Sequence, residues 1–153
     1  MGQFESKLAA MGVSLPEAPA PAANYVPYVQ VGATLYVSGQ IPKDGDRLIT
    51  GKLGDDMTTQ KGAKAARVCA IALLAQVKAA CGGDLDRLKR VVKLTGFVNS
   101  TPDYGDQPMV VNGASDFMAE ALGEVGRHAR SAVSAAALPF GVAVEIEGVF
   151  EIG

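Results

Sequence analysis

The spacing of hydrophobic residues changes several times in the first half of the chain, and each change marks a predicted element. In YVQVGATLYVSGQIP, β-branched and aromatic residues flank a tight Gly32-Ala33 turn, which predicts two strands. After a turn at KDGD, the short run RLIT predicts a third strand. Between Thr58 and Gly82, apolar residues recur every three or four positions, which predicts a helix that Thr58 caps and Gly82-Gly83 ends.

The second half of the chain continues this alternation. RVVKLTGFVNS predicts a central strand, MVVNGASDFMAEAL a helix that ends at Gly123, and ARSAVSAAAL and VAVEIEGVFEI two final strands. The order is therefore β-β-β-α-β-α-β-β, an α+β chain whose two helices cover one face of a mixed sheet. The opposite face is expected to be apolar and uncovered by the chain itself, which favours oligomerisation.

The amino-terminal region has a different composition. FESKLAAMG predicts a short amphipathic helix that ends at Gly12, and LPEAPAPAANYVP is too rich in proline and alanine for regular structure. We therefore expect a lead-in over residues 1–24 and a single domain over residues 25–153. A chain of 153 residues with 48% hydrophobic and 20% charged residues is typical of one globular domain.

Charge and cysteine content narrow the function classes. A net charge of −2 and a pI near 5.4 argue against binding of nucleic-acid phosphates, which needs a concentrated basic surface. The longest apolar run, VCAIALLAQV, is too short to span a membrane, and MGQFESKLAA does not have the pattern of a signal peptide. Cys69 and Cys81 are predicted on one helix, roughly 18 Å apart, and cannot pair within it. We therefore expect a reduced, cytoplasmic protein.

The inventory of reactive residues is small. The chain has one histidine, His128, and both cysteines lie on the predicted core face of a helix, so no metal site is expected. No glycine-rich loop has the spacing of a phosphate or dinucleotide site. Ser38 has only that one histidine as a partner for nucleophilic catalysis. The remaining chemistry belongs to Arg, Glu, Tyr, Ser and backbone amides.

Arg130 is the leading candidate among these residues. It precedes an uncharged, strand-like run that continues to Glu145. A strand period of two places Ala132 and Ser134 on its side, which leaves room for a ligand beside a guanidinium that matches a carboxylate bidentately. His128 would face the same side. The residues alone leave two interpretations open: Arg130 is a solvent-facing charge at a strand end, or it binds an anion near Glu145.

Four stretches resemble the Rid family of YjgF/RidA-type enamine/imine deaminases: PYVQVGATLYVSGQIP, GFVN, VNGASDF and, above all, ARSAV…ALPFGVAVEIEGV. The similarity extends from about Tyr25 to Phe150. It implies a chorismate mutase-like fold in which three subunits pack their sheets into a central barrel, with ligand clefts between neighbouring subunits. It also implies hydrolysis of 2-imino acids, or of their 2-aminoacrylate tautomers, to 2-oxo acids and ammonia, with no metal or organic cofactor.

The resemblance also implies roles for particular residues. Arg130 would bind the substrate carboxylate, and Glu145 would position the attacking water and shuttle a proton. The implied lining of the cleft comprises Tyr28, Ser38, Gly39, Asn112 and Ala132. Two positions depart from the RidA type, which usually has cysteine at the position of Ala132 and often proline at that of His128. The cleft mouth is therefore expected to differ in shape, and the substrate or the rate with it.

Two other functions stay open from the sequence. A trimeric module without catalytic activity could bind small carboxylates or a protein partner through the same cleft. An endoribonuclease is the name that some members of the family carry. The acidic pI, the absence of tryptophan and the lack of basic-aromatic stripes argue against it.

Overall fold

The protein is built around a five-stranded mixed sheet. The computed structural model describes residues 2–20 and 24–153. The strands of the sheet are β1 (Tyr28–Val31), β2 (Thr34–Gln40), β5 (Leu88–Asn99), β6 (Ala129–Ala135) and β7 (Val144–Ile152), and their order across it is β1-β2-β7-β5-β6. β5 and β6 are parallel, whereas every other neighbouring pair is antiparallel. The predicted α+β class and mixed sheet are therefore confirmed.

Three helices accompany the sheet: α1 (Gln3–Ala10), α2 (Thr59–Ala80) and α3 (Gln107–Leu122). The predicted cap of α2 is confirmed, since the Thr58 hydroxyl accepts a hydrogen bond from the Lys61 amide at 3.3 Å. Gly82 and Gly123, which follow α2 and α3, have φ angles of 66° and 62°, a region that favours glycine. In the described part of the chain, no helix is long and apolar enough to cross a membrane.

The hydrophobic core lies between the sheet and α2 and α3. Both helices contact the same face of the sheet, as predicted. The side chains that fill this layer include Leu73, Leu74, Val110, Phe117, Leu94, Ile146 and Phe150. Each such Leu, Ile or Phe contributes about 1.5–3 kcal/mol when it is buried. Phe4 and Leu8 of α1 join the same core, so the amino-terminal helix packs on the helix side of the molecule.

The predicted third strand of the sheet is wrong. Arg47–Leu48 forms β4, which pairs only with β3 (Lys43–Asp44) in a separate two-stranded ribbon. Gly45, at a φ of 63°, turns the chain back after two residues, so the segment is too short and too exposed to join the core. Beyond it, Thr50 makes one isolated bridge to Val142. The amino-terminal lead-in is described only in part: residues 13–20 form no helix or strand, and Met1 and residues 21–23 lie outside the described residues.

The face of the sheet away from α2 and α3 is more polar than predicted. Part of this face is apolar and exposed, as predicted, through Val29, Val31, Tyr36 and Val133. However, β7 alternates strictly, so Val144, Ile146 and Phe150 face the core while Glu145, Glu147 and Glu151 face outward. No helix packs on this outer face within residues 2–20 and 24–153. We call it the outer face below. The homotrimer stays a prediction.

Candidate functional site

Arg130 projects from the edge strand β6 on the helix side of the sheet. Its neighbour in the parallel register is Leu94, which is fully buried beneath the helices, and paired residues share a face. Arg130 Nη1 donates to Asn112 Oδ1 at 2.7 Å and to Ser115 Oγ at 3.2 Å, both on α3. In the described part of the chain, no carboxylate lies within salt-bridge distance of this guanidinium, and Nε and Nη2 make no hydrogen bond. The half-buried guanidinium of Arg130 therefore has one edge, formed by Nε and Nη2, whose N–H donors are free to bind a ligand.

A groove of about 330 Å³ opens beside this guanidinium. It is lined from α3, from the 3₁₀ turn at Gly123–Gly126 and from β6, by residues that include Asn112, Ser115, Asp116, Gly126, His128 and Arg130. Its volume falls in the range of small-molecule sites. Ala132, two residues further along β6, lies on the same face and pairs with Gly96, so only small groups border Arg130 on that side. The groove has room for a small carboxylate.

His128 completes a polar chain behind Arg130. Its Nδ1 lies 2.6 Å from the Gly126 carbonyl oxygen, and its Nε2 lies 2.9 Å from Ser115 Oγ. Burial lowers the pKa of His128, and the positive charges of Arg130 and Arg90 add to this effect. Ser115 is absent from the predicted site. Its spacing of three residues from Asn112, which places both on one side of α3, is the signal that could have revealed it.

Glu145 lies on the outer face, in the centre of the sheet, with Gly39 against it. A bulge between Val37 and Gln40 brings Gly39 so close that a Cβ built there would lie 2.5 Å from Glu145 Oε2. Burial raises the pKa of Glu145, and the like charge of Glu147 adds to the shift. Glu145 is therefore more readily protonated than an exposed glutamate, as a group that accepts and returns a proton needs to be.

Ser38 and Tyr28 lie toward the β1 edge of the sheet, where Ser38 directly precedes Gly39 in the bulge and Tyr28 pairs with the buried Val37 on the helix side. The Ser38 hydroxyl donates to the Pro27 carbonyl oxygen at 3.1 Å, one residue before Tyr28, so its proton is already engaged. Tyr28 packs partly against the core and borders a second cavity of about 350 Å³ between the lead-in and α2. The structure therefore places Ser38, Gly39 and Glu145 in one group and Arg130, Asn112 and Ala132 in another, while Tyr28, which pairs with the buried Val37, lies on the helix side beside α2 and joins neither group.

The two groups lie on opposite faces of the sheet. Leu94 of β5 pairs with Arg130, and Phe97 of the same strand pairs with Glu145. Side chains of a strand alternate between its two faces, and these two positions are three residues apart, so their side chains lie on opposite faces. Arg130 and Glu145 of one chain therefore cannot contact the same small molecule.

Other reactive groups of the chain do not form a competing site. Burial raises the pKa of the Cys69 thiol, whose Sγ lies 3.8 Å from the Val144 carbonyl oxygen, so this sulfur is not activated. Among residues 2–20 and 24–153, no cluster of three His, Cys, Asp or Glu side chains could hold a metal ion. Asn99 of the GFVN stretch is structural, because it donates to the Val142 carbonyl oxygen and accepts from Lys52 Nζ at 2.7 Å.

Two curated proteins are similar to the chain over nearly their whole length. Protein TCP17 of Trypanosoma cruzi is 52% identical over 153 residues, which cover 99% of this chain and 95% of that protein. The 2-iminobutanoate/2-iminopropanoate deaminase of Dermatophagoides farinae is 29% identical over 142 residues, which cover 92% of this chain and 94% of that protein.

Solved structures share the fold. The protein Atu1372 from Agrobacterium tumefaciens superimposes with a TM-score of 0.92 at 48% identity, over 98% of this chain and 92% of that one. TdcF of E. coli, solved with bound serine, superimposes with a TM-score of 0.60 at 26% identity, over 90% and 94% of the two chains. A family model described as "YjgF/chorismate_mutase-like, putative endoribonuclease" matches residues 5–147. The resemblance found in the sequence is thereby confirmed: the chain belongs to the YjgF/chorismate mutase-like family.

Proposed function

We propose that the chain forms a homotrimeric hydrolase that converts 2-imino acids, or their enamine tautomers, into 2-oxo acids and ammonia in clefts between subunits. The deaminase of Dermatophagoides farinae is a relative with this kind of activity in its name, and TdcF binds serine, which carries the same α-carboxylate. The site residues of this chain fit such a substrate. The two free thiols, Cys69 and Cys81, fit a reducing compartment such as the cytoplasm.

Arg130 binds the substrate through its carboxylate. The free Nε and Nη2 donors form a planar fork that matches the two carboxylate oxygens, while Nη1 is held by Asn112 and Ser115. The groove beside the guanidinium accommodates the rest of a small imino acid. This binding places the imine carbon at a fixed distance from the guanidinium.

Glu145 of a second copy handles the protons. Burial raises its pKa, which makes its carboxylate a stronger proton acceptor than that of an exposed glutamate. It accepts a proton from water as the water oxygen bonds to the imine carbon. It then returns this proton to the nitrogen, which gives a carbinolamine. Glu145 next accepts the hydroxyl proton of the carbinolamine and passes it to the amino nitrogen, so that the carbon–nitrogen bond breaks as the carbonyl forms. One water is consumed, and one 2-oxo acid and one ammonia are released.

The observation that carries this proposal is the placement of Arg130 and Glu145 on opposite faces of one sheet. A site that uses both residues needs two copies of the chain. Arg130 lies in edge strand β6, while Glu145 lies on the outer face toward β1 and β2, so the edge of one copy can meet the outer face of the next. This is the reason to propose a cleft between subunits rather than a site within one chain.

Subunit mixing tests the composite site. Neither Arg130→Ala nor Glu145→Gln should hydrolyse freshly generated 2-iminobutanoate alone. When the two variants are unfolded together and refolded in equal amounts, each mixed trimer regains one intact cleft. About a quarter of the parent activity should therefore return under random assembly with cyclic three-fold symmetry. No recovery from a mixture shown by mass spectrometry to contain mixed trimers would refute the composite site.

A carboxylate-binding module without catalytic activity is the second candidate, and Ala132 favours it because RidA-type members usually have cysteine there. The parent would then bind pyruvate, and Arg130→Ala would not, yet no imine hydrolysis above the uncatalysed rate would be seen. The ribonuclease activity in the family description is disfavoured by the net charge of −2.

A further inference from the structure

We propose that Ser115 and His128 are positioning residues that hold the Arg130 guanidinium so that its Nε–Nη2 edge faces the groove. The inference rests on the proposed role of Arg130 as the carboxylate anchor. It concerns a pair of residues whose proposed role is exerted through the arginine.

The hydrogen bonds between these residues can run in only one direction. The Gly126 carbonyl can only accept, so His128 Nδ1 carries the proton of their 2.6 Å contact. In the neutral ring, Nε2 is then an acceptor, and the Ser115 hydroxyl donates to it across 2.9 Å. The Ser115 oxygen keeps its lone pairs for Arg130 Nη1, which donates to it across 3.2 Å. The donor and the acceptor of each of these hydrogen bonds are therefore fixed.

These hydrogen bonds hold the arginine by Nη1 and leave its Nε–Nη2 edge free. Arg130 stands on an edge strand, where a long side chain otherwise samples many rotamers. Ser115 and Asn112 both bond Nη1, and the backbone of the 3₁₀ turn holds His128, so the guanidinium is tied to two separate elements. Holding the donor edge in its binding orientation before the ligand arrives lowers the entropy lost on binding.

Burial and the positive charges around His128 favour the neutral ring, which is the form that these hydrogen bonds require. Arg130 on β6 and Arg90 on β5 oppose its protonation, and burial acts in the same direction. Arg127 is adjacent and is paired with Glu124 at 3.3 Å, while Asp116 lines the same groove. A protonated ring would turn Nε2 into a donor, and the Ser115 hydroxyl could no longer donate to it.

Titration calorimetry with pyruvate tests the role of Ser115. Ser115→Ala should weaken binding about five- to tenfold, within the range expected for the loss of one typical hydrogen bond, because Ser115 acts through Arg130. Ser115→Thr keeps the hydroxyl and should restore most of the affinity. In imine hydrolysis, KM should rise by a similar factor in the Ala variant with kcat within about twofold of the parent, because uniform binding is what is lost. Ser6→Ala, on the exposed side of α1, is the matched control and should bind like the parent.

Nitrogen NMR gives an independent reading, because His128 is the only histidine of the chain. At pH 7.5 the parent should show the neutral tautomer with the proton on Nδ1, and Ser115→Ala should shift the Nε2 resonance. A protonated Nε2 in the parent, or equal pyruvate affinity in the parent and Ser115→Ala, would overturn the inference and leave the proposed function standing. A parent that binds no 2-oxo acid would instead refute the proposed role of Arg130.

Discussion

Gly39 has no room for a side chain, because the carboxylate of Glu145 occupies the place where a Cβ would be. A Cβ at this position would lie 2.5 Å from Oε2 and 2.8 Å from Cδ of Glu145. Gly39 does not have a positive φ, so Gly39→Ala introduces crowding without backbone strain. The substitution therefore tests where the Glu145 carboxylate must stand.

The expected effect follows from the distance. Ordinary van der Waals contact begins near 3.4 Å, so the carboxylate must move by about 0.9 Å from its 2.5 Å separation. Glu145 can move because its side chain is only half-buried, so we expect the variant to fold. A misplacement of about 1 Å in a catalytic group can cost about a hundredfold in rate. That loss corresponds to about 2.7 kcal/mol of transition-state stabilisation.

The assay compares imine hydrolysis with carboxylate binding. In Gly39→Ala, kcat for freshly generated 2-iminobutanoate should fall by about a hundredfold, while pyruvate binding should change by less than about threefold because Arg130 is untouched. Gly105→Ala is the matched control, since Gly105 has no positive φ and no atom lies within 4 Å of its Cβ position. Equal kcat values for the two variants, with both folded by circular dichroism, would refute the role of the Glu145 position.

Three further predictions follow from the same geometry. Arg130→Lys and Arg130→Ala should both fold and should both bind pyruvate at least about tenfold more weakly by calorimetry. Lysine keeps the charge but loses the planar match to a carboxylate. Equal binding by the parent and Arg130→Ala would show that Arg130 is only a charge at a strand end. Glu145→Gln should lose turnover and keep pyruvate binding. It should also unfold at higher urea than the parent at pH 7, because a raised pKa means that the charged carboxylate destabilises the fold above the pKa of the unfolded chain. This gain in stability should vanish as the pH falls below about 4.5, and an unchanged gain there would contradict this cause. Because the pKa of His128 is lowered in the folded protein, the parent should lose stability as the pH falls below about 6.5, where the histidine of the unfolded chain is protonated first. His128→Phe should lose less stability than the parent between pH 7 and pH 5. An equal shift of the urea midpoint in the two proteins would exclude the histidine as the cause.

The helices could be predicted from the sequence because local chemistry ends them. Thr58 caps α2 with its own hydroxyl, and Gly82 and Gly123 take positive φ angles directly after α2 and α3. These signals act within one turn of the helix and do not depend on the rest of the fold. For the predicted third strand, the sequence indicates the turn at KDGD but not that the residues on its two sides pair with each other. Whether RLIT joins the sheet depends on a turn at Gly45 that returns the chain after two residues.

The site residues were found by their resemblance to a family, but their arrangement depends on contacts that the sequence does not display. In β7, the apolar residues Val144, Ile146 and Phe150 predict that Glu145 faces away from the core, and the structure agrees. In β6, both faces carry small residues, so the pattern ARSAVSA does not say on which side Arg130 lies. Its face is set by the register with β5, which pairs Arg130 with the buried Leu94.

The register therefore decides the functional interpretation. A shift of β6 by one residue would move Arg130 to the outer face, the face that carries Glu145. The observed register instead gives Arg130 partners on α3 and separates it from Glu145 by the thickness of the sheet. In the proposed function, the arginine held by Asn112 and Ser115 and the glutamate held against Gly39 are each half of a site. The proposed partner that supplies the missing half to each is a second copy of the chain.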